Sequence, residues 1–222
     1  MREINRLQFR TKNELVYEEL RKMIISGTLA PDERLYIKYL AQALGVSESP
    51  IREAIKRLIS ENFVIEKGLN LYVASLCPQQ FLEMLDIRLQ LEMIAVKQAA
   101  KYINADSVQS MRELLAAMKS DFAIGNFPLY YIAHRDFHKK CFSLCNIPYL
   151  VSALNEALDH HERGINIFKL IPWRKNPNIE QHERIVDLLE QGDTEGAVNE
   201  WQENRKCAFS FYSEQLQKKN II

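Results

Sequence analysis

The chain has 222 residues, 47% of them hydrophobic, enough to bury proper cores in one or two domains. Its 29 basic and 29 acidic residues cancel, which argues against a protein coated in positive charge that binds nucleic acid blind to sequence. Specific DNA binding stays open, because it needs only a local basic patch. The four cysteines, Cys77, Cys141, Cys145 and Cys207, form no CxxC pair. The N-terminus MREINRLQFR is charged rather than apolar, and no run approaches the length of a membrane span. The expectation is a cytoplasmic protein with free cysteines and no membrane partner.

In chain order, residues 1–10 read as a polar arm whose Arg2, Arg6 and Arg10 either touch DNA or are simply solvated. Thr11 and Glu14 have the spacing of a capping box for a helix carrying Leu15, Leu20, Ile24 and Ile25. Gly27 ends that helix, and Pro31-Asp32 forms a turn. From Lys38 to Leu58 the chain reads helix, tight turn, helix. Leu40, Ala41 and Leu44 form one apolar face, Gly45 supplies the turn, and Ser47 or Ser49 caps the next helix with Pro50 in its first turn. Ile51, Ile55, Leu58 and Ile59 face inward, while Glu48, Arg52 and Lys56, each four apart, form an outward stripe. This pattern fits either an ordinary helical hairpin or a helix built for a major groove. The segment FVIEKGLNLYVASL then alternates apolar and polar around Gly68-Leu69-Asn70, the sign of a short β-hairpin. Three helices and a hairpin make a winged helix, predicted over residues 1–76.

Leu76-Cys77-Pro78 is the expected boundary, and residues 77–222 read as helical throughout. Helices are predicted from about Pro78 to Ile103, with Phe81, Leu85, Leu89 and Val96 on one side, and from Asp106 as cap to Gly125-Asn126. Others follow over about Leu129–Cys145, Tyr149–Leu170, up to Gln191, and through a last helix holding Ala197, Val198, Trp201, Ala208 and Phe209. Pro172 and Pro177 bracket an irregular connection. The fold class is therefore mainly α: an N-terminal winged helix-turn-helix and a C-terminal all-helical bundle.

His134 and His138 lie four apart, so both imidazoles share one helix face and can hold one ion; Cys141 and Cys145 continue the stripe. His182 is distant in sequence and must be brought in by the bundle. The competing reading is histidines with ordinary hydrogen bonds. A metal-dependent hydrolase using His134, His138 and His182 is a second functional class, but the chain has no HExxH and no acid paired with these histidines as general base. Arg88 and Glu92, four apart, form either a surface pair or a carboxylate clamp in a pocket. His160 and His161 are adjacent, so at most one faces inward. Arg163 and Trp173 are further pocket candidates.

The segments IISGTLAPDERL, LAQALGVSESPIREAIKRLISENFV and the wing ending in YVASL resemble the winged helix of the GntR family of bacterial regulators. The rest of the chain resembles the helical FCD ligand domain of its FadR-type branch. This resemblance implies a metabolite-responsive transcription regulator, a repressor rather than an enzyme, that binds pseudo-palindromic double-stranded operator DNA as a homodimer. It implies DNA contacts at Lys38, Ser47, Glu48, Ser49, Arg52, Lys67 and Gly68. Arg52 has the fork for guanine, and Glu48 stands where the family often has Arg. The wing's usual arginines are reduced to Lys67, Gly68 and Asn70. Metal-binding FCD members place an Asp and a His four apart on one helix, a second His further on and a third on the last helix. Here His134 replaces the Asp, His138 and His182 match, and Asn204 replaces the last His. The implied site is a divalent metal, Zn or Ni, on His134, His138 and His182 with Asn204 as tentative ligand. Arg88 would face it across a small carboxylate metabolite.

Overall fold

The computed structural model describes residues 11–170 and 179–221. Arg2, Arg6, Arg10, Pro172, Trp173 and Pro177 lie outside the described residues. Contacts divide the chain between Leu76 and Cys77 into two compact units.

The first unit contains α1 (Lys12–Ile25), β1 (Arg34–Leu35), α2 (Ile37–Leu44), α3 (Glu48–Ser60), β2 (Val64–Lys67) and β3 (Asn70–Val73). The capping box forms: Glu14 N–H donates to Thr11 Oγ1 at 3.2 Å, and Thr11 N–H donates to Glu14 Oε2 at 2.7 Å. These bonds satisfy two of the N–H groups that every helix start leaves unpaired. The buried face of α1 runs through Val16, Tyr17, Leu20, Ile24 and Ile25. Leu15, expected on that face, lies outside it and is exposed. Gly45 ends α2 at φ 65°, a left-handed conformation that favours a residue without Cβ. Ser47 is the N-cap residue of α3 but makes no side-chain capping bond. The three strands are antiparallel in the order β1-β3-β2, with Arg34 opposite Tyr72 and Val64 opposite Val73. Strand β1 has two residues, too few to show an alternating pattern in sequence. Leu20, Ile24, Ile51, Leu58, Phe63 and Val73 close the core.

The second unit contains α4 (Pro78–Ala99), α5 (Ala105–Ala123), α6 (Phe127–Ser143), α7 (Pro148–Phe168), α8 (Ile179–Glu190) and α9 (Thr194–Lys218). Helix α4 packs on α6, α7 and α9; α5 packs on α6 and α8; α8 packs on α9. Helix α4 stops at Ala99, short of the predicted Ile103. Asn104, not Asp106, caps α5: Ser107 N–H donates to Asn104 Oδ1 and Asn104 N–H to Ser107 Oγ, both at 2.9 Å. Ser107 at the third helical position completes a reciprocal pair that a cap at Asp106 would lack. Met111, Met118, Phe137, Phe142, Leu154, Val186, Leu189 and Trp201 form the core. Phe81 and Val96 are buried as expected, whereas Leu85 and Leu89 are half-buried. Gly164 on α7 lets the Phe81 ring approach, since a Cβ there would fall 2.2 Å from it.

Candidate functional site

Helix α3 buries Pro50, Ile51, Ala54, Ile55 and Leu58 and leaves Ser49, Arg52, Glu53 and Lys56 exposed. Arg52 Nη2 donates to Glu48 Oε2 at 2.8 Å, so the acid at this position holds the guanidinium one turn further along the same exposed face. Ser47, Lys38, Lys67 and Gly68 are also exposed. Gly68 turns the wing at φ 62°, and Leu69 stands fully exposed at its tip. Lys67 reaches Asp32 at 3.5 Å and lies over the Tyr72 ring, so part of its charge is offset within the unit. Tyr36 and Tyr39, unremarked in sequence, are exposed beside Lys38. Arg34 packs over Tyr36 and bonds Asn70. Aromatic and basic residues interleaved over Arg34–Tyr39 were the available signal.

In the second unit, α6 contributes His134 and His138 and α8 contributes His182. One ligand nitrogen from each lies within 4.8 Å of the others. His134 Nε2 and His138 Nε2 are 3.3 Å apart, and the ring centroids are 4.6, 5.1 and 5.4 Å apart. His138 and His182 are buried and His134 is half-buried. Burial pushes the His134 and His138 imidazoles well below the ordinary histidine range, and neighbouring groups push the same way, the His182 ring and Arg205 for His134 and Arg205 first for His138. Both therefore stay neutral, with ring nitrogens able to ligate. His138 Nδ1 is buried with no hydrogen-bond partner among the described residues. Trp201 and Phe137 wall the cluster. The donor set fits a borderline ion such as Zn or Ni: two nitrogens about 2.0–2.1 Å from a tetrahedral zinc stand about 3.3 Å apart. Among the described residues no carboxylate belongs to the cluster.

These histidines line a cavity of about 470 Å³ together with Arg88, Tyr130, Tyr131, His161, Asn204, Arg205 and Tyr212. Asn204 is buried at its wall, but its amide is engaged: Nδ2 donates to Gln181 Oε1 at 3.0 Å, and Oδ1 accepts from Arg205 Nε at 3.1 Å. Arg88 is not a surface residue. It is 3% exposed and its Nε donates to Glu92 Oε1 at 2.6 Å, while Trp201 Nε1 donates to Glu92 Oε2 at 2.8 Å. Cys141 and Cys145 are buried in the core and stand outside the cluster of three imidazoles; burial raises the Cys141 thiol far above its usual range. His161 is the inward member of its pair; His160 sits 3.9 Å from Glu156. Arg163 is buried but does not line the cavity. Arg205, Tyr131 and Tyr212 were missed as lining residues. Arg205 follows Asn204 directly, and a side chain adjacent to a ligand position was the only hint.

A winged helix with its polar helix face exposed, carried in one chain with a helical unit that holds a histidine-lined cavity, points to a transcription regulator. Residues 12–68 match the family described as "Bacterial regulatory proteins, gntR family", and residues 83–204, more than half of the chain, match "FCD domain". The chain belongs to the GntR family of bacterial regulators, in the branch that carries an FCD domain. It is similar to the HTH-type transcriptional regulator McbR of Escherichia coli, with 27% identity over 82% of this chain and 83% of that one. It is also similar to the gluconate operon transcriptional repressor of Bacillus licheniformis, with 27% identity over 76% of this chain and 69% of that one. The solved structure of E. coli McbR/YncC covers 93% of this chain and 99% of its own at a TM-score of 0.80 and 24% identity, a likeness of fold. These relatives are regulators, and the hydrolase reading finds no support. No helix among the described residues is long and apolar enough to cross a membrane.

Proposed function

We propose that this regulator is a cytoplasmic repressor that binds a pseudo-palindromic operator as a homodimer and changes its operator affinity when a small organic acid enters the histidine cavity. In this reading residues 1–76 bind DNA and residues 77–222 dimerise and bind the effector. Arg52, held by Glu48, reads guanine; Ser47, Ser49, Lys38, Lys67 and Gly68 meet the phosphate backbone. His134, His138 and His182 hold a divalent ion, with Arg88 on the wall of the same cavity. The relative named as the gluconate operon repressor supports repression. The observation that carries the effector site is the convergence of three imidazole nitrogens within 4.8 Å on the wall of a 470 Å³ cavity. An ion there would polarise and anchor a carboxylate, while the neutral imidazoles leave its charge intact. The test is a gel shift on DNA upstream of the protein's own gene, with a panel of organic acids and with chelator, plus the solution mass. Equal operator affinity under every condition would sink effector control, and a monomer on DNA would sink the two-fold reading.

A further inference from the structure

Helix α3 opens on an ion pair that faces solvent. Glu48 is its first residue, and Arg52 stands one turn further along the same exposed face. Arg52 Nη2 donates to Glu48 Oε2 at 2.8 Å, with the two side chains 56% and 46% exposed. Among the described residues these side chains bond only to each other. Glu53 and Lys56, further along, close a pair of their own at 2.8 Å and compete for neither group. The other donors of the guanidinium and the second oxygen of the carboxylate therefore stay available.

The order of these groups is a pattern. Arg52 offers two N–H donors side by side, and Glu48 sets an acceptor next to them. In the major groove a G·C pair shows guanine N7 and O6, both acceptors, and then the cytosine N4 amino group, a donor. O6 and N4 are joined by the base-pairing bond, so they stand about 2.9 Å apart, which matches the 2.8 Å between Arg52 Nη2 and Glu48 Oε2. Donor, donor, acceptor on the protein thus meets acceptor, acceptor, donor on the DNA. The reversed pair C·G, and A·T in either orientation, set like groups against each other at two of the three positions. The N-terminal residues of a helix lying in the major groove are the ones that reach base edges. An acid there is repelled by the phosphates, and a bond accepted from N4 offsets that cost.

We propose that Glu48 is a specificity-determining residue: with Arg52 it reads one complete G·C base pair in each half-site, Arg52 on the guanine and Glu48 on the N4 amino group of the cytosine paired with it. This role rests on residues 1–76 binding operator DNA. In the free protein the same carboxylate fixes the guanidinium, so the two readers are set before they dock.

The test uses the full-length protein, first with a randomised duplex library to obtain the preferred sequence, then with defined duplexes. The selected sequence carries one G·C pair per half-site that neither Glu48→Ala nor Arg52→Ala continues to select. In the defined duplexes the cytosine of that pair is replaced by N4-methylcytosine, which keeps the base pair but puts a methyl group where the groove-facing N–H stood. The parent loses about tenfold in affinity, whereas Glu48→Ala, already weaker on the unmodified duplex, is insensitive to the methyl group. Glu48 is exposed, so this variant carries little folding risk, and a thermal melt checks it. If the parent binds both duplexes equally while Glu48→Ala is weaker on both, Glu48 only positions Arg52 and the proposal is overturned. An equal loss on methylation in parent and variant overturns it too, as does a selected half-site with no G·C preference that depends on Glu48. A library with no enriched sequence overturns the operator reading itself, and this role with it.

Discussion

Glu92→Gln is the sharpest probe of the helical unit. Glu92 has no exposed surface, accepts from Arg88 Nε at 2.6 Å and Trp201 Nε1 at 2.8 Å, and lies 3.9 Å from Arg205 Nε. The amide keeps the shape but removes the charge, leaving a buried guanidinium without its counter-ion. Breaking a buried pair by removing one partner costs about 3–5 kcal/mol. For a unit of about 150 residues each kcal/mol lowers the melting midpoint by about 2–4 °C, so a fall of roughly 6–20 °C is expected. Both tryptophans, Trp173 and Trp201, lie in residues 77–222, so urea unfolding followed by tryptophan fluorescence reports this unit alone. Adding Arg88→Met to the variant removes the stranded charge and should restore more than half of the loss, giving a large coupling energy in the double-mutant cycle. A Glu92→Gln protein within about 1 kcal/mol of the parent, or a double variant no more stable than the single, would refute the argument that charge pairing rather than packing holds this contact.

Arg52→Ala is expected to lower specific operator binding by about 1–3 kcal/mol in fluorescence anisotropy, while stability changes by less than about 0.5 kcal/mol because the Glu48 pair is exposed. Unchanged discrimination against scrambled DNA would remove Arg52 as a reader. Tyr17→Phe deletes the 2.7 Å bonds from the phenol to the Glu61 carboxylate and should destabilise the winged helix by about 1.5–3 kcal/mol. Burial, then the Glu61 bond, pushes the Tyr17 phenol up to about 12 from its ordinary value of 10.0. Its stabilisation is therefore complete below pH 10 and disappears as pH rises towards 12, and circular dichroism across that window should show a loss in the parent that is absent in Tyr17→Phe. His138→Ala should abolish stoichiometric metal in protein purified without chelator, measured by mass spectrometry; equal metal in parent and variant would place the ion elsewhere.

The winged helix was legible because local rules agree there: periodic apolar residues, Gly45 at the turn, and Thr11 with Glu14 at the first cap. Strand β1 was not, since two residues carry no period and their pairing depends on Tyr72 and Leu71, far along the chain. Leu15 was assigned inward on hydrophobicity, yet the 16-20-24 row sets the buried face and Leu15 falls beside it. Asn104 and Asp106 are both capping residues by type, and only the reciprocal bond from Ser107 decides between them. The histidine pair at 134 and 138 was visible as spacing, but His182 joined it only through resemblance, because the packing of α8 is not written in its own periodicity. Arg88 shows why such sites hide: an Arg and a Glu four apart look the same on a surface and in a core, and burial of this pair is set by α9, which brings Trp201 and Arg205 from over a hundred residues away.

The two departures from the usual FCD ligand pattern act together. With His rather than Asp at position 134, a metal held here would have one fewer negative charge among its ligands. At position 204 the Asn oxygen is taken by Arg205, whose guanidinium lies near enough to depress both His134 and His138. A divalent ion held by His134, His138 and His182 would thus keep its full charge beside a fixed cation, with no protein carboxylate in the triad to offset it. Such an ion is bound weakly alone and more tightly once an anion completes its shell. Linkage makes the gain reciprocal: whatever factor the acid adds to metal affinity, the metal adds to acid affinity. The expected result is that zinc titration in acetate gives a dissociation constant at least tenfold lower than in a non-coordinating buffer at equal ionic strength. Equal constants would mean that the triad binds its ion without help, and that metal and effector are independent.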